Sequence, residues 1–110
     1  MTKGIILENL ILAVIKYDAW IFLPFLMDEK VKIKYLSKLT FFESFTEKLE
    51  QTKSISDGDL HLRKETSKIE FIKDLKTIEY NFFDKTHLNE RLTIYVTEEP
   101  EIIFIDMLPF

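Results

Sequence analysis

Residues 92–108, LTIYVTEEPEIIFIDML, hold the pattern from which the rest of the fold is built outward. Leu92, Ile94 and Val96 fall on one side of an extended backbone and Thr93, Tyr95 and Thr97 on the other, because successive strand side chains point to opposite faces. In the second run Ile103, Ile105 and Met107 share a face, and Ile102, Phe104 and Asp106 share its reverse. Between the runs Glu98, Glu99 and Glu101 surround Pro100, which has no backbone N–H to give a ladder and belongs in a turn or at an edge. The stretch predicts a β-hairpin closed by an acidic turn. Its second strand is largely apolar on both faces, which predicts cover on each side.

Upstream of the hairpin, Ser67 and Glu70 have the spacing of a capping box, and Phe71, Leu75, Ile78 and Phe82 follow at helical intervals. A helix over 68–83 is one reading. Ile78, Tyr80 and Phe82 also alternate, so a helix ending near Lys76 followed by a strand is the other. Asp84–Asn89 is read as the loop into the hairpin. Further back, Thr40 and Glu43 make another capping box, and Phe41, Phe45 and Leu49 predict an amphipathic helix over 40–51. The stretch 52–59, TKSISDGD, is rich in turn formers and reads as the loop between the halves.

At the N-terminal end, residues 5–15 (IILENLILAVI) are polar only at Glu8 and Asn9, which predicts a helix sunk in a core or else lying on a membrane. The run Ala19–Met27 is interrupted by Pro24 and reads as a short helix or an edge strand. Neither run reaches the roughly 20 apolar residues that a spanning helix needs, and no signal peptide is recognisable. Residues 30–38, KVKIKYLSK, alternate base with apolar residue and predict a strand with a wet, basic face. The expected architecture is α+β: three helices on a small, mainly antiparallel sheet that includes the C-terminal hairpin, in a single domain over 1–110.

Composition narrows the function classes. Ten Phe and 46% hydrophobic residues exclude general disorder, and two Gly leave no phosphate-cradling loop. The absence of Cys removes thiol chemistry and disulfides, in keeping with a cytoplasmic setting. Charge is unevenly spread. Residues 1–83 hold thirteen acids and thirteen Lys or Arg, so the net −4 lies beyond them, where six acids meet only Lys85 and Arg91.

No catalytic or metal motif is present. His61 and His87 are the only histidines; Asp57 and Asp59 lie near the first and Glu90 near the second, without metal-ligand spacing. The serines lack a nucleophile elbow. Four lysines at 30–38, without Arg or interleaved aromatics, do not make a nucleic-acid site. No cofactor is expected. The profile is that of a non-enzymatic binding protein of inhibitor, immunity or antitoxin type, neutralising a basic, nuclease-like toxin through an acidic C-terminal surface. That is an analogy of class. Glu98, Glu99, Glu101 and Asp106 are the candidate partner contacts, with Tyr95 as an aromatic anchor. A structural or adaptor subunit of a homo-oligomer is the competing expectation, and a small enzyme using His61 or His87 a third.

Overall fold

The computed structural model describes residues 1–66, 76–84 and 89–107. Helix α1 spans Lys3–Ile15; the Thr2 side chain caps it by accepting from the Ile5 amide, and Ile6, Leu10, Ala13 and Val14 recur on its buried face. The chain then reverses at Tyr17, whose φ of 54° lies in the left-handed region, and the Tyr17 hydroxyl donates to the Gly58 carbonyl at 2.7 Å. A 3-10 turn at Ala19–Ile21, capped by Asp18, leads into the one-turn helix α2, Leu23–Leu26. Pro24 sits in the first turn of α2, where its missing N–H is not needed. Strand β1 is Val31–Ile33, and α3 is Lys38–Ile55. Four further strands follow: β2 (His61–Thr66), β3 (Thr77–Phe83), β4 (Glu90–Glu98) and β5 (Ile103–Met107).

The strands form one sheet in the order β1-β5-β4-β3-β2. β1 runs parallel to β5, and the other neighbours are antiparallel. The β4–β5 hairpin pairs Val96 with Ile105 and Glu98 with Ile103, so the alternating apolar residues of both strands share one face. β1 and β2 lie at opposite edges. The 18 residues of α3 reach about 27 Å at the α-helical rise, enough to carry the chain across a sheet roughly 19 Å wide.

Helices α1, α2 and α3 all contribute to one apolar cluster against one sheet face. Phe41 and Phe45 of α3 stack at 5.5 Å, and Phe22 meets Phe45 edge-on at 6.2 Å; Ile6, Leu10 and Val14 join them, with Tyr80, Phe82, Ile94, Val96, Ile103 and Ile105 from the sheet. The reverse face is mixed, with Tyr95 and Phe104 among polar residues, and it too is buried at Thr77, Glu79, Asn81, Thr93, Tyr95, Thr97 and Asp106. The Thr77 and Thr97 hydroxyls pair at 2.7 Å, and Thr93 donates to Asn81 at 2.8 Å, so hydrogen bonds offset part of the cost of burying these groups.

Several sequence expectations are corrected. Residues 77–83 are a strand, the second of the two readings; the Ser67–Glu70 capping box and the helical spacing up to Leu75 lie outside the described residues. The basic strand predicted over 30–38 shrinks to Val31–Ile33, because Tyr35 takes φ 66° and ends the alternation. α3 starts earlier than 40 and ends later than 51. Its cap is Ser37, whose Oγ accepts from the Thr40 amide and donates to the Thr40 hydroxyl, leaving Thr40 inside the helix. Sequence reading places His61 where a loop passes into a strand but gives no bounds for β2, because HLRKET, a largely exposed edge strand, lacks apolar alternation. Among the described residues no helix is long and apolar enough to cross a membrane.

Candidate functional site

The turn joining β4 to β5 is held from three sides. Its own Glu99 amide donates to the Ile102 carbonyl at 2.8 Å, Lys3 Nζ from the start of α1 donates to the Glu99 carbonyl at 2.8 Å, and the Ile103 amide donates to the Lys30 carbonyl at 2.8 Å. The Glu99 carboxylate is paired with Lys76 Nζ at 2.8 Å, with 34% and 57% of the two side chains exposed. At that exposure the pair contributes under about 1 kcal/mol, but it engages the carboxylate internally.

Glu98 and Glu101 are exposed, and neither is in an ion pair among the described residues. By alternation Glu98 follows Val96 on the helix-facing side of the sheet, beyond the end of the core. It lines a cleft of about 280 Å³ with Lys64, Glu65, Thr66, Ile78 and Tyr80. Glu101 borders a second cleft, about 370 Å³, with Glu29, Lys30, Lys32 and Ile102. Of the turn glutamates only Glu99 is ion-paired among the described residues; the clefts at Glu98 and Glu101 are lined by charges of both signs, Lys64 with Glu65 and Lys30 and Lys32 with Glu29.

Tyr95 and Asp106 do not join the exposed turn. They are cross-strand partners on the mixed face, 7% and 4% exposed, so as the chain stands neither presents its side chain to a docking partner. Burial pushes the Tyr95 phenol up, with the Glu79, Glu90 and Asp106 carboxylates adding to the effect. Burial also raises the Asp106 carboxyl, against the pull of the Met107 amide and the Lys34 ammonium. One Asp106 oxygen, Oδ1, has no hydrogen-bond partner among the described residues.

The other candidates are dispersed. His61 opens β2, and His87 lies outside the described residues. Asp59 lines a cleft of about 400 Å³ with Lys16, Tyr17, Lys53 and Ser56, at the C-terminal ends of α1 and α3. Among the described residues no three His, Asp or Glu side chains gather as a metal site. Sequence reasoning missed Lys3, Lys64, Lys76 and Tyr80 as neighbours of the turn. Lys3 is 96 positions from Glu99, and only the tertiary fold joins them. The proximity of Lys30 and Lys32 to Glu101 was in principle within reach, since it follows from the parallel pairing of β1 with β5.

No protein-family model, curated protein or solved structure matches the chain.

Proposed function

We propose that the chain is a non-enzymatic protein-binding domain of inhibitor type, acting as an immunity or antitoxin protein does, and that its β4–β5 turn docks a basic surface of a partner such as a nuclease-like toxin in the cytoplasm. The observation that carries this reading is the pinned backbone of residues 99–103 with the Glu98 and Glu101 side chains left exposed. A loop already fixed before association loses little conformational freedom on binding, and two outward carboxylates steer a cationic surface toward it. Glu99 belongs to the support of the turn through Lys76.

Affinity capture from source lysate, with the wild-type chain and with the E98K/E101K double variant, tests the proposal. The expected result is a basic protein retained by the wild type and lost by the variant. Equal retention by both chains removes the turn from the interface.

A second reading rests on a different surface. Trp20 and Leu39 are each 66% exposed, and Trp20 stands edge-on to Phe42 at 5.2 Å, with Leu39 one turn before Phe42 on α3. Exposed large apolar side chains of this kind favour self-association. Sedimentation over a range of concentrations separates an oligomer subunit from a monomeric inhibitor.

A further inference from the structure

We propose that the cleft over β3, between β2 and the end of β4, is a pocket for one arginine side chain of the partner, and that Lys64 occupies it as an internal stand-in. This rests on the reading of the β4–β5 turn as the dock for a basic protein, and it specifies what that dock grips.

The walls match the chemistry of a long cationic side chain, an apolar stem with a charged head. Ile78 and the Tyr80 ring offer apolar and aromatic surface, and Glu98 offers an exposed carboxylate at the rim, in a space of about 280 Å³. Lys64 already makes the cationic contact, with its Nζ 5.1 Å from the centroid of the Tyr80 ring. Tyr80 is 4% exposed beneath it. Burial pushes the Tyr80 phenol up, and the Glu98 carboxylate adds to the effect.

Lys64 is held loosely. It lies on the exposed edge strand β2, and no salt bridge ties it among the described residues. Its stem is flexible, and its ammonium is a point charge with no planar face. A guanidinium stacks on an aromatic ring and meets a carboxylate through two parallel N–H groups, so an incoming arginine displaces the lysine with a net gain in contacts.

The test is an amide and aromatic NMR titration of the full chain with N-acetyl-arginine-N-methylamide at constant ionic strength, with the glycine analogue as control. Expected are shifts confined to Ile78, Tyr80, Glu98 and the facing residues of β2, with none from the glycine compound. Lys64→Ala is expected to tighten binding about threefold by vacating the ring, and Glu98→Gln to weaken it about fivefold. Dispersed spectra of both variants show that they are folded. The pocket is refuted if the wild type and Lys64→Ala show no localised shifts, if Glu98→Gln binds as well as the wild type, or if Lys64→Ala weakens binding. The docking reading fails separately: blocked arginine binding here while no basic protein is captured would leave the pocket standing without that partner class.

Discussion

Asp106, only 4% exposed, buries a carboxyl oxygen that meets no donor among the described residues. Burial raises its pKa above the ordinary 3.8, so between the unfolded and folded values the native state binds more protons than the unfolded chain. Stability contributed by this site is therefore present below the unfolded value and lost as pH rises through the folded one. Asp106→Asn, which removes the charge, is expected to stabilise the protein at pH 7 by about 1 kcal/mol. The advantage should shrink as pH is lowered toward 3.8, as urea unfolding at several pH values will show. A less stable variant at pH 7 would mean that the ionised form is favourably held. Tyr35 makes a different residue-scale point. It is 85% exposed at φ 66°, a conformation that costs a non-glycine residue energy while the exposed ring gains little from packing. Tyr35→Gly is expected to raise stability by about 1 kcal/mol in the same assay. Neither feature was legible beforehand. Alternation placed Asp106 away from Ile105, but burial of that face depends on the whole molecule, and a left-handed tyrosine leaves no mark in composition.

At the scale of elements, the β3–β4 ladder carries a buried hydroxyl pair, Thr77 with Thr97 at 2.7 Å. Removing one partner strands the other away from water, whereas removing both leaves two apolar groups of similar shape. Thr77→Val alone is expected to cost about 1–2 kcal/mol, and Thr77→Val/Thr97→Val to recover most of that loss, a coupling that a double-mutant cycle in urea measures directly. Additive losses would show that the two hydroxyls act independently. The hairpin and α3 were legible because their apolar residues repeat with the periods of their own backbones: Leu92, Ile94 and Val96 at two, Phe41, Phe45 and Leu49 at four. β3 was ambiguous because Ile78 and Phe82 satisfy both periods, and pairing with β2 and β4 on either side decided for strand. The bounds of β2 were invisible for the opposite reason. Sequence periodicity reports burial, and an exposed edge strand has little to report.

At the scale of the whole molecule, folding redistributes charge that the sequence keeps apart. The excess of acids beyond residue 83 is real, but the fold pairs Lys76 with Glu99 and brings charges of both signs to the clefts at Glu98 and Glu101, Lys64 with Glu65 and Lys30 and Lys32 with Glu29. The candidate site was thus legible as a turn and as a set of glutamates, but not as a surface, because its lysine neighbours come from four distant segments. We propose a narrower docking set: the exposed Glu98 and Glu101 meet a cationic partner, while Glu99 is engaged by Lys76. Titrating the captured partner against the wild type, E98Q/E101Q and E99Q at about 50 and about 500 mM salt, where screening is weak and then strong, tests that division most directly. E98Q/E101Q is expected to lose about tenfold in affinity at low salt together with most of the salt dependence, while E99Q stays within about twofold of the wild type. Wild-type affinity in E98Q/E101Q, or an equal loss in E99Q, would contradict the proposed docking set.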